Sequence, residues 1–224
     1  MWNLSARTIA ICYSALSLLY FMLGSGQPLC VRVILKTLPL LFLIILLVGL
    51  AGRVSDRRSY VLAVTALALS CFGDFSGELK RVYGNPAFLA QIAFFMCAQI
   101  SYTMAFCRHR GRVWSVRSMS LFALLMASLI TIAALVLHTV GDMVTMTFMA
   151  IYMLVIFVMA VSAVLQDRKG FWFFAVGAFL FLVSDSVIAI NTFVTPVPGA
   201  HYLIMITYYL AQLLLNIQLV RNVR

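Results

Sequence analysis

Long apolar runs, interrupted by short polar or helix-breaking stretches, recur along the whole chain. Breaks such as Gly24-Ser25-Gly26-Gln27-Pro28 and Thr195-Pro196-Val197-Pro198-Gly199 are typical of loops between helices. A helix needs about 20 apolar residues to cross about 30 Å of hydrocarbon. The pattern therefore predicts an all-α integral membrane bundle of eight transmembrane helices, over residues 8–23, 33–51, 60–79, 87–107, 118–138, 143–165, 171–193 and 202–220.

Composition supports the membrane interpretation. Of the 224 residues, 64% are hydrophobic and 10% are charged, whereas soluble domains average about 45–50% apolar and about 25% charged residues. This excludes a soluble globular domain, a disordered chain and a small disulfide scaffold. The loops between the runs are short, so we expect residues 1–224 to form a single transmembrane domain.

The basic residues predict the orientation. Lys and Arg number 16 against 6 Asp and Glu, an excess that in a soluble protein would suggest nucleic-acid binding. In eight spans, 12 of the 16 fall on the side of both termini, as expected for cytoplasmic loops. We therefore expect both termini in the cytoplasm and no nucleic-acid partner. A cleaved signal peptide covering the first run would leave seven spans in the same orientation.

Three acidic residues fall within the predicted spans: Asp74, Glu78 and Asp185. A carboxylate inside a membrane costs at least about 2.5–3.5 kcal/mol and usually marks a functional site. Asp74 and Asp185 each lie 14 residues into an outward-running span, roughly 21 Å from its cytoplasmic edge. We therefore expect the two carboxyls at one depth, with Glu78 one helical turn beyond Asp74 on the same face.

Other polar side chains accompany these carboxyls at a similar depth. Any one amide or phenol is explained by a hydrogen bond between helices. Two level carboxyls with a lysine and a polar stripe predict instead a buried polar cavity that opens toward the outer leaflet. The candidates for lining it are Lys36, Gln99, Tyr102, Asn191, Tyr208 and Gln212.

Several familiar catalytic motifs are absent from the sequence. It contains no HExxH or other metal-ligand spacing, and its five cysteines form no CxxC pair. It has neither a G-x-S-x-G elbow nor a glycine loop that would cradle a phosphate. We expect no metal and no cofactor.

Three segments of the chain form a recognisable pattern. They are Lys36-Thr37-Leu38-Pro39, Ser70-Cys71-Phe72-Gly73-Asp74, and the ordered run Ser184-Asp185-Ser186, Asn191-Thr192-Phe193 and Tyr208-Tyr209-Leu210-Ala211-Gln212. Together they resemble the YhhN family of lysoplasmalogenase-type membrane proteins. The resemblance implies an eight-helix membrane fold. One departure is visible: family members often carry a His-Leu-x-Tyr pattern where this chain reads Gln99-Ile100-Ser101-Tyr102.

The resemblance also implies a reaction, hydrolysis of the vinyl ether bond of lysoplasmalogens. The products are a fatty aldehyde and glycerophosphoethanolamine or glycerophosphocholine, and the substrate is a lysophospholipid from the bilayer. Cleavage needs a carboxylic acid that protonates the vinyl ether and a carboxylate that stabilises the resulting oxocarbenium ion. We expect Asp74 and Asp185 to be this pair, and Lys36, Glu78, Gln99, Tyr102, Asn191, Tyr208 and Gln212 to bind substrate.

Two other classes of function stay open on the sequence. Membrane carboxyls also serve as proton relays, so a proton-coupled lipid or small-solute transporter is the main alternative. A receptor or scaffold would be favoured if the two carboxyls lay more than about 10 Å apart, beyond the usual separation of paired catalytic carboxyls. The protein is expected to be a multi-pass component of a bacterial inner membrane or of the endoplasmic reticulum, with its oligomeric state undetermined.

Overall fold

The computed structural model describes residues 6–24, 26–108, 115–166 and 170–223. Within them the chain forms eight α-helices, and no β-strand occurs in this part of it. The helices are α1 Ala6–Leu23, α2 Leu29–Leu50, α3 Arg57–Tyr83, α4 Asn85–Cys107, α5 Val116–Val136, α6 Met143–Val164, α7 Phe171–Phe193 and α8 Ala200–Val223. Of the basic residues used to predict orientation, Arg110, Arg112, Arg168, Lys169 and Arg224 lie outside the described residues.

Seven of the described helices, α2 to α8, are long and apolar enough to cross a membrane. The apolar part of α1, Arg7–Leu23, is shorter. The all-α prediction is confirmed, and each predicted run corresponds to one helix. The number of membrane crossings and the side on which the termini lie stay predictions.

Several helices extend beyond the predicted runs, and the difference is largest at charged residues. Helix α2 begins at Leu29, four residues before the predicted start, and therefore includes Arg32. Helix α3 continues through Lys80 and Arg81 to Tyr83. Hydropathy alone ends a span at a charge, whereas Arg32 is paired with Glu78 of α3 in the folded bundle.

Polar side chains fix several helix starts. Asp56 accepts a hydrogen bond from the Ser59 amide at the start of α3, and Asp142 accepts bonds from two amides at the start of α6. Ser115 and Ser118 form a reciprocal capping box at the start of α5. These caps satisfy amides that have no partner within the helix.

Helices α3, α4 and α8 make up the centre of the bundle. Helix α3 packs against α2, α4 and α8, while α8 also contacts α1, α2 and α7. The contact of α3 with α4 is close because a Cβ atom at Gly73 would lie 2.9 Å from the Phe95 ring. Gly84, at φ +63°, makes the turn between these two helices, a conformation that glycine adopts without strain.

The two ends of the bundle differ in charge and in the residues they carry. We call the end with the α1–α2, α3–α4, α5–α6 and α7–α8 connections the Gly84 end, and the opposite end the terminal end. Arg57, Arg58, Arg108 and Arg117 lie at the terminal end. All three membrane carboxyls lie nearer the Gly84 end of their helices.

Candidate active site

Four alternating charges join α2 and α3 in the half of the bundle nearer the Gly84 end. Asp74 and Glu78 lie one turn apart on α3, and Arg32 and Lys36 lie one turn apart on the facing side of α2. The Lys36 Nζ atom is 3.5 Å from Asp74 Oδ1 and 3.5 Å from Glu78 Oε1. Arg32 pairs with the other oxygen of Glu78. Two cations and two anions thus neutralise one another, which lowers the cost of burying them.

Helix α8 supplies a hydrogen-bond donor to this charge cluster. The Tyr208 hydroxyl donates to Asp74 Oδ2 at 2.9 Å. The next residue, Tyr209, donates to the backbone carbonyl of Lys36 at 2.8 Å. Because adjacent residues point in different directions from a helix, α8 can contact α3 and α2 at the same level. Asp74 is therefore held from two sides, and it is only 2% exposed.

A second polar network lies one turn closer to the terminal end. The Tyr102 hydroxyl donates to Gln212 Oε1 at 2.7 Å, and Gln212 Nε2 donates to Ser70 Oγ at 3.0 Å. Asn216 Nδ2 donates to the Tyr102 oxygen at 2.7 Å. Tyr102 and Gln212 thus bond to protein groups and join α3, α4 and α8. Their nearest connection to the charge cluster is through α8, where Gln212 follows Tyr208 by one turn.

Asp185 has different surroundings. It accepts a hydrogen bond from the Tyr152 hydroxyl of α6 and lines a cleft among α4, α5, α6 and α7. The cleft encloses about 670 Å³ of empty space, including the part open to its surroundings. Its lining is apolar except for Gln91, Ser128, Tyr152, Asp185 and Ser186. An apolar space with a few placed polar groups is the usual form of a site for an apolar ligand.

Gln99 lies beside this phenol. Its carboxamide is close to the Tyr152 hydroxyl, yet neither of its polar atoms makes a hydrogen bond of regular geometry. The side chain is completely buried. Since most buried polar atoms in proteins are paired, this amide is available to a buried water molecule, although Gln99 does not itself line the cleft.

An aromatic cluster lies between the helices that carry the two aspartates. The Phe95, Phe181 and Tyr208 rings meet edge to face, with centroids 5.6–6.4 Å apart. Tyr208 is bonded to Asp74, while Phe181 lies one turn before Asp185 on α7. The two carboxyls remain within range of electrostatic interaction. Asp185 lines the cleft, whereas Asp74 lies on the other side of these rings in the charge cluster.

The structure distributes the residues predicted from sequence among the charge cluster, the second polar network and the apolar cleft at Asp185, instead of one polar cavity, and Asn191 belongs to none of the three. Asn191 is exposed, and its side chain accepts a hydrogen bond from the Val197 amide in the α7–α8 loop. Lys36 also differs from expectation, since it lies seven residues into α2, roughly 10 Å from the helix start. The sequence placed it roughly 5 Å from the outer edge.

Two residues of the site were missed by sequence reasoning. Tyr152 was read as part of an apolar run, although a phenol in the middle of a span is itself a signal for a buried polar partner. Arg32 was placed in a loop because it precedes the apolar run. Among the residues that the structure describes, no three His, Cys, Asp or Glu side chains come together in a way that could hold a metal ion.

The fold and the site define an all-α membrane protein with two buried aspartate–tyrosine contacts, one of which lies at the wall of an apolar cleft. A sequence profile described as "YhhN family" matches residues 31–219, and the chain belongs to that family. With seven helices of spanning length in the described part of the chain, it is an integral multi-pass membrane protein.

Three mammalian relatives carry the name lysoplasmalogenase. The chain is 32% identical over 207 residues to lysoplasmalogenase TMEM86B of Rattus norvegicus, covering 91% of this chain and 80% of the relative. It is 32% identical over 191 residues to the Homo sapiens protein of that name, covering 84% and 75%. The Mus musculus protein is 33% identical over 206 residues, covering 91% and 83%. No solved structure matches the chain.

Proposed function

We propose that this protein is a membrane-embedded lysoplasmalogenase that hydrolyses the vinyl ether bond of a lysophospholipid from the bilayer. The relatives of that name support the reaction class. The observation that carries the proposal is the Asp185–Tyr152 contact at the wall of an apolar cleft. A lipid chain fits such a cleft, and a carboxyl is the group that a vinyl ether needs for protonation.

The two aspartates take different roles in this proposal. Asp185 lines the cleft, so it is the carboxyl that can reach the substrate, and we assign it as the acid. It transfers its proton to the alkenyl carbon that is not bonded to oxygen. The alkenyl carbon that is bonded to the ether oxygen then becomes the centre of an oxocarbenium ion. The carboxylate left on Asp185 lies beside this cation and stabilises it. Asp74, whose charge is balanced by the Lys36 ammonium group 3.5 Å away, positions the site through its hydrogen bond with Tyr208.

Water then completes the reaction. It adds to the oxocarbenium carbon and gives a proton back to Asp185. The product of this addition is a hemiacetal. The hemiacetal collapses, the C–O bond to glycerol breaks with a proton passing to the glycerol oxygen, and a fatty aldehyde is released. One water is consumed for each bond cleaved. Gln99, whose amide is unbonded beside Tyr152, is positioned to hold this water.

The decisive experiment compares isosteric variants of the acidic residues. Asp74→Asn and Asp185→Asn in purified protein are each expected to reduce aldehyde release from a lysoplasmalogen by at least about 100-fold. Asp142→Asn is the matched control, because asparagine also caps helices well and Asp142 lies at the start of α6. Near-normal turnover in both membrane variants would refute the assignment, and solute uptake into liposomes without aldehyde release would favour a transporter.

We further propose eight membrane crossings with both termini in the cytoplasm. Support comes from the basic residues at the terminal end and from α1, which packs against α2 and α8. Cys30 and Cys107 are exposed near opposite ends of the bundle. In spheroplasts expressing single-cysteine variants, an impermeant maleimide should label Cys30 directly and Cys107 only after permeabilisation. The reverse labelling pattern would show that both termini lie on the opposite side of the membrane from the one proposed.

A further inference from the structure

A second apolar space follows the first along the same helices. It lies among α5, α6 and α7, encloses about 570 Å³ including its open part, and is lined by residues that include Leu124, Leu125, Val164, Trp172, Val176 and Phe179. Unlike the cleft at Asp185, it has no charged side chain in its lining among the residues that the structure describes. It lies on the terminal-end side of the cleft. Nothing in the proposed chemistry uses this space.

The two spaces are nearly continuous along the helices. On α7 the second space ends at Phe179 and the cleft begins at Leu182. On α5 the second space ends at Leu125 and the cleft begins at Ser128. From Asp185 to Trp172 is 13 residues, roughly 20 Å along α7. One leaflet of hydrocarbon is about 15 Å thick. The combined groove is therefore long enough for one lipid chain that starts at Asp185.

Helix α5, which forms one wall of both spaces, is loosely attached. Only 11% of the most apolar 18-residue stretch of α5 is buried, whereas the figure is 39–56% for the other six described helices of spanning length. A weakly packed helix can separate from its neighbours at low cost. A chain from the surrounding bilayer can therefore enter sideways, between α5 and its neighbours, without crossing water.

A cation lies at the mouth of the cleft. Lys80 Nζ lies 4.1 Å from the centroid of the Phe88 ring, which lines the cleft, and 3.4 Å from Thr192 Oγ1. By distance from the helix ends, Lys80 is roughly 8 Å nearer the Gly84 end than Asp185. Lys36, by contrast, is engaged by two carboxylates. Lys80 is thus the better placed ammonium group for a phosphate outside the cleft.

From these observations we infer a substrate track: the phosphate binds at Lys80, the vinyl ether lies at Asp185, and the single hydrocarbon chain runs along the α5–α7 groove. The second space then determines how long a chain is accepted. The placement of the vinyl ether at Asp185 rests on the proposed lysoplasmalogenase function. The groove as a hydrocarbon-chain site can be tested without turnover.

Filling the second space tests its role in chain selection. Val176 lines it and is 44% exposed, whereas Val158 on α6 is similarly exposed, at 50%, and lines neither space. With lysoplasmalogens of increasing chain length, Val176→Trp should lower kcat/KM at least about tenfold for the longest chains and leave the shortest unaffected. Val158→Trp should change none of them. An equal loss at every chain length, or no loss in Val176→Trp, would overturn the inference.

A photolabelling experiment separates the groove from the chemistry. The probe is an alkyl-ether lysophospholipid, which lacks the vinyl ether, with a diazirine at the chain terminus. In the parent protein, peptides of α5 and α7 around the second space should carry the label, and Val176→Trp should remove it. Labelling spread evenly over the lipid-facing surface would overturn the groove. If the groove is labelled while the parent protein releases no aldehyde from a lysoplasmalogen, the proposed function fails and the chain site stands.

The phosphate subsite has its own readout. Lys80→Gln should raise KM about tenfold with kcat unchanged, because Lys80 contacts the head group and not the reacting bond. Lys80→Arg should restore most of the affinity, and Arg81→Gln on the adjacent position should leave KM unchanged. A fall in kcat without a change in KM, or an equal effect in Arg81→Gln, would contradict a phosphate contact at Lys80.

Discussion

The Tyr208 hydroxyl donates a 2.9 Å hydrogen bond to Asp74 Oδ2, joining α8 to α3 across 134 positions of sequence. Tyr152 makes the same type of contact with Asp185 between α6 and α7. Each of these two aspartates is therefore oriented by a phenol from another helix. Removing a phenol changes the position and hydrogen bonding of its carboxyl while leaving the number of charges intact.

Tyr208→Phe tests whether this orientation matters for turnover. A hydrogen bond to a charged group contributes about 1.5–3 kcal/mol, so its loss in the transition state should lower kcat about 10- to 100-fold. The measurement is aldehyde release at saturating substrate. Tyr202→Phe, at an exposed position of α8, should leave kcat unchanged. Equal activity in the two variants would show that Tyr208 has only a packing role.

The Arg32–Glu78 pair predicts strong coupling in stability. Glu78→Leu leaves the largely buried Arg32 without its carboxylate, which should lower the free energy of unfolding by about 3–5 kcal/mol. Arg32→Leu combined with Glu78→Leu should cost less than Glu78→Leu alone, because Lys36 keeps its contact with Asp74. The free energies of unfolding of the parent, the two single variants and the double variant can be measured by denaturant unfolding in detergent micelles. Simple additivity of the two single variants would contradict the pairing.

Gln99→Met should separate stability from activity. Its buried amide makes no regular hydrogen bond, so an apolar side chain of similar length should leave the unfolding temperature unchanged or raise it. If Gln99 holds the attacking water, kcat should fall at least about tenfold while KM is maintained.

Gln166→Met is the matched control for this prediction. Gln166 Nε2 donates to the carbonyls of Phe106 and Ser162 near the terminal end, far from the cleft along α6. Its replacement should lower the unfolding temperature and leave kcat unchanged. An unaffected kcat in Gln99→Met would remove Gln99 from the proposed mechanism.

Asp142 predicts a pH dependence of stability at the start of α6. Hydrogen bonds from the side chain and the backbone amide of Thr145, with a further bond from the Val144 amide, lower the pKa of the Asp142 carboxyl below 3.8. A lowered folded pKa adds stability above pH 3.8, and this is lost as the pH falls through the lowered value. Asp142→Ala should therefore unfold at a lower temperature than the parent at neutral pH. The gap should narrow in thermal melts below pH 3.8, and a gap independent of pH would exclude the charge contribution.

Sequence reasoning recovered the architecture because the bilayer imposes a length and a polarity on each helix. Eight runs predicted eight helices, and each carboxyl was found on the helix expected for it. The prediction differs from the structure at a charge: hydropathy begins the second run after Arg32, whereas α2 includes Arg32 because Glu78 pairs with it. Asn191 lies apart from the other predicted residues, since its side chain bonds to the α7–α8 loop.

The sequence by itself determined which helices form and how far along their helices Asp74 and Asp185 lie, because apolar run length and helical rise are local properties. Tertiary structure alone decided which groups meet these carboxyls. Asp74 contacts Lys36 and Tyr208, whereas Asp185 contacts Tyr152 beside an apolar cleft. Those partners come from distant helices whose rotation about their axes is set by side-chain packing. The periodicity of one segment does not predict which residues of other helices pack against it.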